Sequence, residues 1–381
     1  MLNSFLNAKP LYYDEIDYTR MPRIYESVKN HIKIPHIIHI IGTNGKGTTG
    51  RFLASAISSL GISVGHYSSP HIVDFNERIW LDGSNIATAE LEVAHKKLLS
   101  LLSGKDAEAL SYFEYTTLLA MIAYEACEYI VLEAGLGGEH DATAVFENEL
   151  TLVTPIGKDH EAFLGDTIEE ISQTKLNAVR KKAILAKQVH KEVYEMAQDI
   201  AQKNHISIEM YDDFLEKEDY DLVDKIGVSQ ELSNYLKENL LLSISALKAL
   251  GLSYTEDSFL DSRLFGRLSK FRENILLDVG HNTLAAQKIY ESLKQKKYIL
   301  VYNSYKDKDY KQILEILKPI ILDIEIIDIE DSRIESDALM KKTVENLGFK
   351  YKKFEKIESS LDYLVFGSFS VVEAFIKGFN E

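Results

Sequence analysis

Lys46 and Thr48 sit in the string Gly42-Thr43-Asn44-Gly45-Lys46-Gly47-Thr48-Thr49, between an apolar run at 36–41 and a helix-like segment at 48–60. An amine and a hydroxyl among glycines, at a turn from strand to helix, are the parts of a phosphate cradle. The glycines can take positive φ and turn backbone N–H groups toward an anion, and the helix behind them adds the positive end of its dipole. Lys46 supplies a point charge for terminal phosphates and the Thr48 hydroxyl a hard oxygen for magnesium. The string departs from the general GxxxxGK[ST] pattern: Ile40 stands where a glycine is usual, and Gly47 separates Lys46 from Thr48.

Further along, Glu133 ends the apolar run 129–132. Ligands collect at the C-terminal ends of strands in open α/β sheets, which makes this carboxylate a candidate magnesium ligand. Gly135, Gly137 and Gly138 would let the chain pass close to a substrate, with Asp141 as a polar anchor. The segment Thr154-Pro155-Ile156-Gly157-Lys158-Asp159-His160 is a second strand-and-glycine turn, this one ending in an imidazole suited to a further divalent ion. Ser69, in Tyr67-Ser68-Ser69-Pro70-His71, is either a loop cap or a ligand.

Strand-length apolar runs alternate with amphipathic stretches, which predicts βαβ units and a mainly parallel sheet. Strands are expected at 36–41, 63–67, 129–132, 150–154 and 183–185, and helices at 89–102, 115–126, 168–179, 191–202 and 236–250. The acidic stretch 211–224 reads as a surface hairpin or loop. After 258 a second series begins: strands at 275–279, 298–302 and 324–329, helices at 283–294, 310–317 and 335–347. The expected organisation is an α/β chain with an N-terminal P-loop parallel-sheet domain, 1–262, and a smaller Rossmann-like α/β domain, 263–381.

The chain has 381 residues, too many for one core, and 45% apolar content. Its net charge of −16 argues against nucleic acid or an anionic membrane as partner, because phosphates would be repelled. Asp14, Glu15 and Asp17 mark the first 23 residues as unlike a secretory leader, and no apolar run approaches the length of a membrane span. The single Cys127 excludes an internal disulfide and reads as a small packing residue. A cytoplasmic monomer is expected.

In combination these motifs spell a family. Residues 39–49 (HIIGTNGKGTT), 67–79 (YSSPHIVDFNERI), 131–143 (VLEAGLGGEHDAT) and 154–168 (TPIGKDHEAFLGDTI) closely resemble folylpolyglutamate synthase and its bifunctional form, dihydrofolate synthase, within the Mur ligase superfamily. The likeness continues in Phe265-Gly266-Arg267, Leu277-Asp278-Val279-Gly280-His281-Asn282, Lys306-Asp307-Lys308-Asp309 and Gly367-Ser368, and so spans nearly the whole chain.

The resemblance implies an ATP-dependent amide ligase that adds L-glutamate to dihydropteroate and to the γ-carboxyl of folate tails through an acyl phosphate. It implies ATP binding by Thr43, Asn44, Gly45, Lys46, Gly47 and Thr48, completed by Asn239, Arg267, Asp278 and His281. It places two magnesium ions on Thr48, Ser69, Glu133 and His160, and a carbamylated lysine at Lys175, although Gln173-Thr174-Lys175-Leu176-Asn177 differs from the usual surroundings. Lys46, His160 and Lys175 are the implied catalytic residues. The usual His-Gln pair before Asn239 is replaced by Tyr235 and Leu236. For the pterin or folate the resemblance points to Ser111, Tyr112, Phe113 and Glu114 and to His140, Asp141 and Ala142. Aromatic walls with an acid beside them suit a flat ring bearing N–H donors. The alternatives are folylpolyglutamate synthase activity alone and, more distantly, a P-loop kinase or a nucleotide-gated binding protein.

Overall fold

A computed structural model of the chain describes residues 1–9 and 17–380. Asp14 and Glu15 lie outside the described residues. Contacts group the chain into two compact units, the first made of residues 1–157, 164–231 and 236–262, the second of 158–163, 232–235 and 263–381. Two short segments from the N-terminal part of the sequence, 158–163 and 232–235, thus belong with the second unit.

The first unit is built on eight strands: β1 His36–Ile41, β2 Val64–Tyr67, β3 Ile79–Leu81, β4 Ser84–Asn85, β5 Tyr129–Glu133, β6 Leu150–Val153, β7 Lys182–Leu185 and β8 Ser207–Met210. Their order is β4-β3-β2-β5-β1-β6-β7-β8, parallel from β2 to β8 with antiparallel β3 and β4 at one edge. After its first residue β1 is buried throughout, as a central parallel strand covered by helices on both faces must be, which is why it reads as an unbroken apolar run. Strand order reverses around β1, and the chain leaves its C-terminal end directly into the glycine turn, at the switch point where open α/β sheets bind ligands.

The second unit carries β9 Ser269–Arg272, β10 Ile275–Asp278, β11 Tyr298–Tyr302, β12 Ile321–Ile326, β13 Lys352–Lys353 and β14 Tyr363–Phe366, ordered β13-β12-β11-β14-β10-β9. Only β9 is antiparallel to its neighbour. Its core gathers Leu300, Tyr302, Ile324, Leu364 and Phe366 with the helix residues Ile313, Leu314 and Leu317.

The sequence-based expectation has no counterpart of β8, β14 or the helix Phe369–Asn380, and three of the elements it does contain differ instructively. Residues 211–224 are not a loop: a 3-10 turn, Tyr211–Phe214, leads into the helix Lys217–Ser229. The Asp219 carboxylate accepts the Glu216 N–H at 2.8 Å and pairs with Lys248 at 2.7 Å, while Val223 and Ile226 supply a narrow buried stripe. The helix expected at 115–126 runs Tyr112–Ala123, because Ser111 and Glu114 form a capping box that starts it a turn early. The strand expected at 324–329 is Ile321–Ile326; the apolar residues of 320–329 permit either placement, and pairing with β11 selects the earlier one.

Candidate active site

The turn after β1 is closed from two sides. Gly42 has φ +134°, and a Cβ there would lie 2.1 Å from Thr154 Oγ1; Gly45 has φ +93°, and its Cβ would lie 2.5 Å from Asn239 Oδ1. Glycine is required at both positions by backbone conformation and by space. The N–H groups of Thr43 and Asn44 donate to the Pro155 carbonyl at 3.0 and 3.2 Å, and Thr43 Oγ1 bonds the Gly157 carbonyl at 3.0 Å. Gly45 in the left-handed conformation caps the helix Lys46–Ser59. The N–H groups of Lys46, Gly47 and Thr48 precede the first intrahelical bond, Thr49 N to Gly45 O at 2.9 Å, and form the anion-facing end of the helix.

Among the described residues, three buried polar atoms at this turn lack a hydrogen-bond partner: Thr48 Oγ1, Thr49 Oγ1 and Asn239 Nδ2. Thr48 is 2% exposed and Asn239 5%. A buried donor or acceptor left unmade costs about 1–3 kcal/mol, and at a glycine turn beside a helix N-terminus such atoms are available to a ligand. Lys46 Nζ lies 3.2 Å from Gly42 O, 3.3 Å from Thr43 O and 3.8 Å from Glu133 Oε1.

Parallel pairing sets Glu133 opposite Ile40, so the carboxylate stands at the same sheet edge as the turn. It is buried and accepts the Ser69 N–H at 3.3 Å, which ties the Ser-Pro loop to the end of β5. Thr48, Ser69 and Glu133 are hard oxygen donors, the set that suits magnesium with water completing its shell. Among the described residues no three His, Cys, Asp or Glu side chains are grouped to hold a metal. Lys175, 5% exposed near the end of the helix Ile168–Leu176, donates from Nζ to Gly42 O at 3.0 Å. Gly138 lies against it so closely that a Cβ would meet Lys175 Cα at 2.8 Å.

The seven residues assigned to the folate divide by role. Ser111 Oγ accepts Glu114 N at 3.1 Å, and Glu114 Oε2 accepts Ser111 N at 2.7 Å and pairs with Arg20 Nε at 2.8 Å, so these two polar side chains hold a helix end. Phe113 fills the space of the missing Gly135 Cβ and faces Tyr67 at 5.9 Å between ring centroids. Tyr112 is half-buried beneath the Arg78 guanidinium. His140 is exposed and meets the ring of Tyr18, and Ala142 is buried. Asp141 is buried and accepts from Leu136 N, Thr143 N and Thr143 Oγ1 at 2.7, 2.9 and 2.5 Å, so it folds its own glycine loop. Burial pushes its carboxyl up despite these donors.

In the second unit the site residues pair with one another. Asp278 Oδ2 accepts Leu268 N at 2.8 Å and the Tyr235 hydroxyl at 3.1 Å, and Oδ1 accepts Gly280 N at 2.7 Å. Burial raises its pKa, with the Arg267 charge opposing. Arg267 stacks its guanidinium 5.1 Å from the Phe369 ring centroid. His160 holds φ +55°, and its N–H donates to Asp159 Oδ1 at 2.9 Å. Asp159 also meets Lys308 Nζ at 2.6 Å, His281 Nε2 at 3.3 Å and Asn282 Nδ2 at 3.1 Å. Burial alone would raise the Asp159 carboxyl; the hydrogen bond and charge of His281, with the charges of His160 and Lys308, outweigh it and hold it well below the usual range. Burial would likewise lower Lys308, and Asp159 raises it instead.

Asp159, Lys308 and Asn282 were not among the residues the sequence assigned to the site. Lys308 lies 149 residues from Asp159, a separation at which no spacing rule operates. The one signal in the sequence is that all three fall inside the motifs that carry the family resemblance.

No protein-family model matches the chain. Comparison with solved structures finds the folylpolyglutamate synthetase of Helicobacter pylori at 37% identity and a TM-score of 0.80, covering 100% of this chain and 98% of that one. A bifunctional folylpolyglutamate synthase/dihydrofolate synthase from Yersinia pestis, complexed with AMPPNP and a manganese ion, has the same fold at 21% identity and a TM-score of 0.81, over 100% of this chain and 97% of that one. Among curated proteins, the dihydrofolate synthase/folylpolyglutamate synthase of Escherichia coli K12 is 30% identical over 349 residues, 86% of this chain and 80% of the relative.

Proposed function

This chain belongs to the dihydrofolate synthase/folylpolyglutamate synthase family, and from that membership we propose an ATP-dependent ligase that joins the amino group of L-glutamate to a carboxyl of dihydropteroate or a folate. The observation that supports the chemistry in this molecule is the glycine turn with its unpartnered, buried Thr48 hydroxyl and the amine of Lys46 at the helix end.

The acceptor carboxylate attacks the terminal phosphate of ATP and gives an acyl phosphate and ADP; the glutamate amine displaces phosphate and an amide forms. Phosphoryl transfer of this kind needs positioning and charge rather than a covalent enzyme group. Lys46 leaves the carbonyls of Gly42 and Thr43 to reach the β- and γ-phosphates, and the N–H groups at the start of its helix hold the oxygens between them. Magnesium, when bound, neutralises charge on the phosphate oxygens, with Thr48, Ser69, Glu133 and His160 as its proposed protein donors. Asn239, Arg267, Asp278 and His281 are proposed to complete nucleotide binding. Phe113, Tyr112 and the loop held by Asp141 are proposed to line the site for the pterin or folate.

Lys175 is proposed to carry a carbamate, in which its amine adds to carbon dioxide and releases a proton. The amine lies 3.0 Å from Gly42 O at the phosphate turn, where the anionic product would be a further oxygen ligand. Lys175→Ala should lose ligation and recover part of it with added short carboxylates; intact mass of an active enzyme with an unmodified lysine would refute the assignment.

A second reading, folylpolyglutamate synthase activity alone, is favoured by the name of the 37% identical Helicobacter relative. Glutamate incorporation, with ADP and phosphate release, measured separately for dihydropteroate and tetrahydrofolate decides between them. Release of a phosphorylated product without amide, or glutamate-independent hydrolysis, would overturn both.

A further inference from the structure

The loop between β2 and β3 is held by its own acids. The Glu77 carboxylate accepts the N–H groups of Ile72, Val73 and Asp74 at 2.8, 2.9 and 2.8 Å, and Ser68 N donates to Arg78 O at 3.0 Å. Within this fixed frame the Arg78 side chain is turned inward and is 8% exposed. Its Nε donates to His71 Nδ1 at 2.8 Å, and its guanidinium lies 5.3 Å from the centroid of the Tyr112 ring. Among the described residues no carboxylate stands within ion-pairing distance of it. Nearby Arg20, by contrast, is neutralised by Glu114 at 2.8 Å.

Although the chain has 59 acidic residues, none of the described ones supplies this buried cation with a counter-charge. Burying an unpaired charge is costly, so the arrangement is accounted for if an anion arrives with the ligand. Arg51 shows what a purely structural version looks like. It too donates from Nε to a histidine Nδ1, that of His66 at 3.3 Å, and stacks on Trp80 at 4.9 Å. Its surroundings are closed, with His66 0% and Trp80 5% exposed, and burial lowers its pKa to about 10. The partners of Arg78, in contrast, are half-exposed: His71 and Tyr112 both meet solvent.

We infer that Arg78 receives a carboxylate of the acceptor other than the one being activated, the α-carboxylate of a terminal glutamate. This rests on the folate-ligase reading above. The backbone of Arg78 pairs with Ser68, the neighbour of the proposed metal donor Ser69, so its side chain starts one residue from where the reacting γ-carboxyl must lie. The α-carboxylate of the same glutamyl unit is a few bonds away. A planar guanidinium pairs two N–H groups with one carboxylate, and the Tyr112 ring and His71 hold the fork in place. Dihydropteroate lacks this second carboxylate, which makes Arg78 a specificity residue for tail-bearing acceptors.

The test is equilibrium binding, by calorimetry, of tetrahydrofolate and of its α-carboxamide analogue to the MgADP complex of the full-length protein. Wild type should favour the carboxylate by about tenfold or more, and Arg78→Gln should bring the ratio near one. Arg78→Lys, which keeps the charge and loses the fork, should fall between and carries the test if the glutamine variant does not fold. A ratio that is the same in wild type and variants overturns the assignment. Binding with the expected ratio but without ligation would sink the functional reading and leave Arg78 in its role; wild type that binds neither compound overturns both.

Discussion

The phosphate turn of the first unit and the acid clusters of the second handle their polar groups in opposite ways. In the first, the phosphate turn keeps buried atoms without partners, Thr48 Oγ1 and Asn239 Nδ2. In the second, Asp159 is shared among Lys308, His281 and Asn282, and Asp278 among two backbone N–H groups and Tyr235. A cradle with unmade bonds gains when ligand arrives, whereas a satisfied cluster must exchange one partner for another. The first arrangement leaves bonds for a ligand at a standing cost in stability; the second spends its bonds on the fold.

Substitutions can break this contrast. Lys46→Ala should lower ligation by about a hundredfold or more, an effect far larger than any it has on the melting temperature. Ligation near the wild-type rate would remove the phosphate cradle from the mechanism. Asp159→Asn should cost the folded state about 3 kcal/mol in urea unfolding, because it leaves the buried Lys308 with only the exposed Asp307 carboxylate, 3.1 Å away, as counter-charge. Asp159→Leu combined with Lys308→Met should recover most of that; two additive losses would mean the pair is not a unit.

His39 gives a smaller, pH-dependent effect. It is buried, bonded through Nε2 to Thr143 Oγ1 at 2.8 Å, and burial lowers its pKa from 6.5 to about 4. Folding therefore favours the neutral ring. The stability this contributes is complete above pH 6.5 and is lost as pH falls toward 4, with a slope of at most about 1.4 kcal/mol per pH unit. His39→Gln should flatten that part of the denaturation profile, and an unchanged profile would contradict the assignment. The smallest expected change is the most diagnostic for the cradle. Thr48→Val deletes a hydroxyl with no partner, so the ligand-free protein should be as stable as wild type or gain about 1 kcal/mol, while affinity for MgADP falls. A clear loss of stability would show that the hydroxyl is not an unmade bond.

Sequence reasoning reached what is local. The order of strands and helices, and the glycine turn after β1, depend on spacing and on residues next to one another. It went astray where one composition serves two structures. The acidic stretch 211–224 has the polarity of a loop, yet Val223, Ile226 and the Asp219–Lys248 pair make part of it a helix. Ser111 and Glu114, which the resemblance assigns to the folate, also form the cap of the helix Tyr112–Ala123, a structural role their spacing alone does not separate from a functional one. Short strands such as β4, β9 and β13 have too few residues to show an alternation. The Asp159–Lys308 pair depends on tertiary contact alone, and both its members read in sequence as ordinary charged residues.

Cys127 offers a last consequence. It is the chain's single cysteine, 3% exposed, and burial pushes its thiol up to about 12. Thiolate is the reacting form, so at neutral pH this sulfur is sheltered and protonated and should be slow toward maleimides. The natural sequence is therefore close to a blank background for spectroscopic labels. A cysteine placed at Val228, 80% exposed, and another at Leu322, 51% exposed, would put one dye on each unit without removing a native residue of the proposed site. Distances between the dyes, followed one molecule at a time as nucleotide and folate are added, would then report directly on motion during turnover.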